Sequence, residues 1–261
     1  MQIGAITQYI DVAQIVLYAF WIFFFSLLVY LRREDKREGY PLESDRTDHT
    51  DRIQVQGFPR MPPPKTFKLP HGGEVTVPRA EAPGSIAASP SELFPGAPLE
   101  PTGNPMLDGV GPAAYARRAD KPDLTFEGHA RIVPMRAAPE FTVASRDPDP
   151  RGMPVLGGDG VQAGVVFDVW VDRAEPQIRY LEVMLADSGR QVLVPIGFSR
   201  FERLDMWQLC VRVRSILSDQ FNGVPDLARP DQVTALEEDR ISAYYAGGTL
   251  YAEPSRMEPK L

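Results

Sequence analysis

The chain has 261 residues, of which 24% are charged, and its mean hydropathy of -0.22 means that most of it must be solvated. The formal net charge of -7 and pI near 5.1 argue against nucleic acid or an anionic membrane surface as a general partner, because a phosphate-reading surface needs a clustered positive field. A lone cysteine, Cys210, leaves no internal disulfide and lies in an alternating apolar run, so it reads as a core thiol in a reducing compartment rather than a catalytic one.

Residues 1–11 form a short extramembrane segment. Val12 to Leu31 then run without a formal charge, with only Gln14 and Ser26 strongly polar. Twenty helical residues span about 30 Å, the thickness of a bilayer hydrocarbon core, and the aromatics go all the way round where a soluble core helix would keep a polar face. The spacing therefore predicts one transmembrane helix over 12–31, with Tyr9, Tyr18, Trp21 and Tyr30 as amphipathic rings toward its ends or flank. Arg32, Arg33, Lys36 and Arg37 crowd its C-terminal side while residues 1–31 hold no Lys or Arg. The positive-inside bias puts the N-terminus outside and the remaining mass in the cytoplasm. The absence of a basic leader and of small residues after the run argues against a cleaved signal.

Residues 32–118 read as an extended segment. Between Pro41 and Arg118 lie 14 of the 26 prolines, too many for a dense core, so the stretch is either a disordered linker or is ordered by lying on another surface. The recurring Phe58, Phe67, Leu93, Phe94, Met106 and Leu107 favour the second reading. Lys65–Leu69 and Glu74–Val77 flank His71-Gly72-Gly73 as a short hairpin.

Residues 119–261 read as a compact, mainly β domain. Candidate strands are Arg131–Met135, Glu140–Ala144, Ala163–Asp172, Ile178–Ala186, Arg190–Ile196 and Trp207–Val213, at a spacing that suggests a small barrel or sandwich. A helical turn is expected over Ser215–Phe221. A C-terminal helix is expected to open at Pro230, to carry Val233, Leu236, Ile241 and Tyr244 on its apolar stripe, and to end at Gly247-Gly248.

Enzyme motifs are missing: there is no Walker loop, dinucleotide fingerprint, GxSxG, paired Cys or HExxH. Gly157-Gly158-Asp159-Gly160 separates two strands and reads as a turn rather than a phosphate cradle. His49, His71 and His129 lack metal-ligand spacing. The acids at strand ends, Glu127 beside His129 and Asp172 with Glu175, read either as solvated polar ends or as titratable groups that pass protons.

The segments RREDKREGYPLE, PKTFKLPHGGEVTVP, GNPMLDGVGPAA, VFDVWVDRAEPQIRYLEV and LEEDRISAYYAGGTLYA resemble, in order and over most of the chain, the H subunit of the purple bacterial photosynthetic reaction centre. The resemblance implies one transmembrane helix, an extended middle and a cytoplasmic PRC-barrel domain. It implies a structural and proton-conducting subunit, not an enzyme and holding no cofactor of its own. Such a subunit caps the L and M subunits, which hold bacteriochlorophyll, bacteriopheophytin, quinones and a non-haem iron, in the bacterial inner, intracytoplasmic photosynthetic membrane. Antenna polypeptides, a cytochrome subunit and membrane lipids are further partners it suggests. It places Glu127, His129, Asp172, Glu175, Arg179 and Glu237 in proton transfer to the secondary quinone. From their spacing, three residues apart at a strand end, Asp172 and Glu175 can share a cluster in which like-charge repulsion raises one carboxyl pKa. Where familiar members carry Asp-Gly-His-Gly-His, this chain has Thr125-Phe126-Glu127-Gly128-His129. The alternative class is a membrane-tethered barrel used as an adaptor or assembly factor without a role in electron transfer.

Overall fold

The computed structural model describes residues 11–42, 56–70, 72–79, 85–94, 96–206 and 208–257. The readings made for residues 1–10, His49, His71 and Trp207 lie outside the described residues. Two compact units emerge, Met1–Ser85 with Leu93–Gly96 and Ile86–Glu92 with Ala97–Leu261.

The first unit is built on α1, Val12–Asp35, which is 24 residues long with no buried side chain. At 1.5 Å per residue it reaches about 36 Å, enough to cross a bilayer. A reciprocal cap starts it: Gln14 N donates to Asp11 Oδ1 at 2.8 Å, and Asp11 N donates to Gln14 Oε1 at 3.3 Å. The helix continues past the apolar run through Arg32–Asp35, and the basic residues there also organise the chain that follows. Lys36 is 1% exposed, yet its ammonium faces no carboxylate among the described residues. Its three donors meet the carbonyl oxygens of Gln56, Gly57 and Pro59 at 2.5, 3.0 and 2.6 Å, which satisfies the group completely. Arg37 pairs with Glu34 at 2.8 Å and donates to Pro63 O at 2.8 Å. The expected hairpin is present as β1, Lys65–Lys68, antiparallel to β2, Glu74–Val77. Gly72 and Gly73 adopt φ of 88° and 93° in its turn, a conformation closed to most side chains.

The second unit carries a small ladder, β3 (Ala88–Pro90) with β4 (Leu99–Pro101), and a seven-stranded sheet. The sheet contains β5 (Ile132–Pro134), β6 (Pro154–Leu156), β7 (Gln162–Asp172), β8 (Gln177–Leu185), β9 (Gln191–Pro195), β10 (Ser199–Arg203) and β11 (Leu209–Val213). Its order is β10-β11-β6-β7-β8-β9, with β5 on β7. The strand expected over Glu140–Ala144 does not form. Pro139 precedes it, Phe141 N closes a turn onto Ala138 O at 3.0 Å, and Phe141 and Val143 pack against the core without pairing.

The C-terminal helix α2 spans Ala235–Tyr251. Its start is Thr234, not Pro230, because Thr234 Oγ1 accepts from Glu237 N at 3.1 Å while Glu237 Oε2 accepts from Thr234 N at 2.7 Å. Gly247 and Gly248 do not end it: the helix passes through both, and the glycines serve close packing. A Cβ on Gly247 would stand 2.8 Å from Ala113 Cβ, and one on Gly248 would stand 2.5 Å from Ser215 O. The expected turn over Ser215–Phe221 is displaced to a 3-10 turn at Asp219–Gly223. Trp170, Leu181, Leu193, Ile216, Phe221, Ile241 and Tyr245 fill the core between α2 and the sheet. Cys210 is buried, and burial raises its thiol pKa.

Candidate functional site

The acids and the histidine singled out in the sequence collect at one end of the β7–β8 hairpin. A tight loop, with Thr125 N donating to His129 O at 2.8 Å and a bridge between Leu124 and Ala130, presents Glu127 and His129. A surface cleft of about 790 Å³ is lined by Glu127, His129, Glu140 and Arg173. The Glu127 carboxyl is held below the usual carboxylate range, foremost by its own backbone N–H and also by the neighbouring His129.

Two residues beyond His129, Arg131 turns the candidate acids into one array. Its Nε donates to both oxygens of Asp172 at 3.0 and 2.9 Å. Its Nη2 lies 2.8 Å from Asp172 Oδ2 and 3.2 Å from Glu175 Oε1. The backbone N–H groups of Ala174 and Glu175 also donate to Asp172 Oδ1, at 2.9 and 3.0 Å. The sheet fixes the placement, because Ile132 on β5 pairs with Asp172 on β7 and Arg173 N donates to Arg131 O at 2.8 Å.

This geometry works against a raised pKa at Asp172. Burial pushes the fully covered Asp172 carboxyl up, but the Arg131 guanidinium and the two N–H groups outweigh it and leave the pKa lowered. The like charges do not face each other unscreened, since a guanidinium stands between them. Glu175 remains 66% exposed at its side chain.

Arg179 and Glu237 lie apart from this array. Glu237 is 7% exposed and both its oxygens are occupied by backbone donors, Ala228 N at 2.6 Å and Thr234 N at 2.7 Å. Arg179 is the extra residue at a bulge, because Trp170 pairs with Tyr180 and Val171 with Ile178. From there its charge acts on Glu238, the next acid along α2. Glu238 accepts from Tyr180 OH at 3.0 Å, and burial raises its pKa.

Sequence reasoning missed Arg131, Glu238 and a second buried cluster. Asp168 and Glu182 are register partners on β7 and β8, 4% and 3% exposed. One guanidinium, Arg136, contacts both, at 2.9 Å from Asp168 Oδ2 and in a short pair with Glu182 Oε2. Trp170 Nε1 donates to Glu182 at 3.0 Å. Acids on alternating apolar strands were the available signal, since a charge at an inward position requires a partner.

Two family models match the chain: the photosynthetic reaction centre H-chain N-terminal region over residues 4–137, and the PRC-barrel domain over residues 143–211. An apolar helix long enough to cross a membrane, followed by a PRC-barrel domain, fits a single-pass anchored barrel protein. The chain belongs to the H-chain family of photosynthetic reaction centres, structural subunits that assemble with other subunits.

Proposed function

We propose that this chain caps the cytoplasmic face of the L and M subunits, stabilises that assembly and conducts protons toward the secondary quinone. The N-terminus lies in the periplasm and the domain after α1 in the cytoplasm of the photosynthetic inner membrane, as the one-sided basic cluster at Arg32–Arg37 favours. The pigments, quinones and iron are held by the partner subunits, with antenna polypeptides, a cytochrome subunit and lipids as neighbours.

The observation that carries the reading is the linkage of Glu175 to Asp172 through Arg131, two residues from His129. Double reduction of a quinone to the quinol takes up two protons, and a capped site reaches bulk water only through titratable groups. In this arrangement His129 and the ionised Glu127 collect protons at the surface. Asp172 holds Arg131 in place, and Glu175 is the member of the array open to exchange.

The test is flash-induced proton uptake and second-electron transfer in the purified complex carrying Asp172→Asn and Glu175→Gln. Proton uptake is expected to slow strongly while primary charge separation is unchanged. Unchanged rates at neutral and alkaline pH would remove these residues from the route and leave the chain as a structural cap.

A further inference from the structure

An unbalanced group of arginines lies on the β10–β11 hairpin. Arg200 on β10 is the register partner of Arg212 on β11. Directly opposed residues of an antiparallel pair share a face with Cβ atoms about 5 Å apart, so two like charges start from one face, with the Arg212 head turned to Glu202 Oε2 at 3.4 Å and Gly157 O at 3.3 Å. Along the same alternation, Glu202 falls two residues after Arg200 and Arg214 two residues after Arg212. The face thus holds three guanidinium groups against one carboxylate, in a chain whose net charge is -7. Glu202 is divided between Arg214 at 2.8 Å and Arg212 at 3.4 Å. Arg200 takes no ion-pair partner among the described residues, and Arg214 keeps a side-chain exposure of 69%.

Arg200 and Arg214 open onto a cleft of about 430 Å³ that Ser215, Thr249 and Arg256 also line, with Phe198 as its apolar wall. Arg256 is fixed at the cleft by Nη1 donating to the carbonyls of Arg214, Ser215 and Gly248 at 3.1, 2.9 and 3.0 Å, while Glu253 takes its Nε at 3.0 Å. Ser215 is 6% exposed, and its Oγ is buried without a hydrogen-bond partner. A concave site of this size that presents the guanidinium forks of Arg200 and Arg214 suits a compact oxyanion, which guanidinium recognises through paired N–H donors.

We propose that this cleft binds a phosphate-class oxyanion, through Arg200 and Arg214 on one wall and Arg256 on the other. The anion supplies Arg200 with its counter-charge. The phosphate comes from solution or from a lipid headgroup, and both sources present the same chemistry to the site.

The experiment is titration calorimetry of the full chain in nonionic detergent at low salt, with pyrophosphate and with a short-chain phosphatidylglycerol as probes. Saturable binding is expected, weakened about tenfold in Arg200→Gln, as loss of one charge-assisted contact implies, and partly restored in Arg200→Lys. Arg229→Gln, which removes an exposed arginine paired with Asp231 away from the cleft, should leave binding unchanged and reports non-specific attraction. Stronger binding of pyrophosphate assigns the soluble source, and stronger binding of the lipid assigns the headgroup. No saturable binding of either probe, or equal binding by the parent chain and Arg200→Gln with an unchanged melting temperature, overturns the proposal.

Discussion

Arg131 Nε holds both carboxylate oxygens of Asp172, at 3.0 and 2.9 Å, across 41 residues of sequence. The pair staples β5 to the end of β7, and it has a pH signature. The Asp172 pKa is lowered in the fold against the desolvation that opposes it. Its contribution to stability is therefore present above the ordinary carboxylate pKa of about 4 and is lost as pH falls through the lower, folded value. Denaturant titrations of the chain in mild detergent at stepped acidic pH should show this loss, and Asp172→Asn should flatten it. An unchanged acid limb in that variant would remove the pair from the stability of the domain.

The Arg136 cluster makes a stronger demand, because Asp168 and Glu182 are both buried and share that one guanidinium. Removing it leaves two uncompensated carboxylates in the sheet. Arg136→Met should be strongly destabilising, but by less than the about 3–5 kcal/mol of a fully buried pair, because the Arg136 side chain keeps 39% exposure and is partly screened by solvent. The triple change to Arg136→Met, Asp168→Asn and Glu182→Gln should recover much of the loss. Thermal melting of the three forms decides this, and a single variant as stable as the parent would contradict the buried-charge reading.

Glu237 separates a structural from a conducting role. Its two oxygens accept from Ala228 N and Thr234 N, so it completes the cap of α2. Glu237→Gln keeps one acceptor, best spent on Thr234 N, and turns its NH2 toward the other backbone donor, so it should destabilise, though less than Glu237→Ala, which should cost about 1–2 kcal/mol. Proton uptake by the assembled complex should be the same in Glu237→Gln as in the parent chain. A slowed uptake in that variant at unchanged melting temperature would return Glu237 to the proton route.

The parts of this molecule legible in the sequence are those where one periodicity dominates. The apolar run at 12–31 and the apolar strands β7, β8 and β9 were visible because each carries its own signal, alternation in β7 and apolar runs on either side of Asp187-Ser188-Gly189 in β8 and β9. The short strands β6 and β10 were not, since three and five residues carry too little pattern and their partners lie far along the chain, as with Val155 beside Val211. Gly247-Gly248 misled because a helix-ending glycine and a helix-packing glycine look alike until Ala113 and Ser215 are seen against them. At the candidate site, the acids and His129 could be read as types, but Arg131 could not be chosen from 28 basic residues without the β5–β7 register.

Glu238 offers the sharpest spectroscopic test. It is 8% exposed on α2, beside Tyr180 OH at 3.0 Å. Desolvation raises its pKa, while the Tyr180 hydroxyl, Arg179 and Arg118 pull it back down. The phenol donates to the ionised form, so Tyr180→Phe removes a stabilising contact from the carboxylate only. The Glu238 titration should then move to still higher pH, and Arg179→Gln should move it the same way by withdrawing a positive charge. The sign for stability follows from the raised value: this acid favours the fold at low pH, and the advantage is lost as pH rises through the folded pKa. Glu238→Gln should remove that decline. Infrared difference spectra across the titration, read at the protonated carboxyl stretch and assigned by its loss in Glu238→Gln, measure the pKa directly. A band that disappears at the same pH in the parent and in Tyr180→Phe would show that the phenol does not act on this carboxyl.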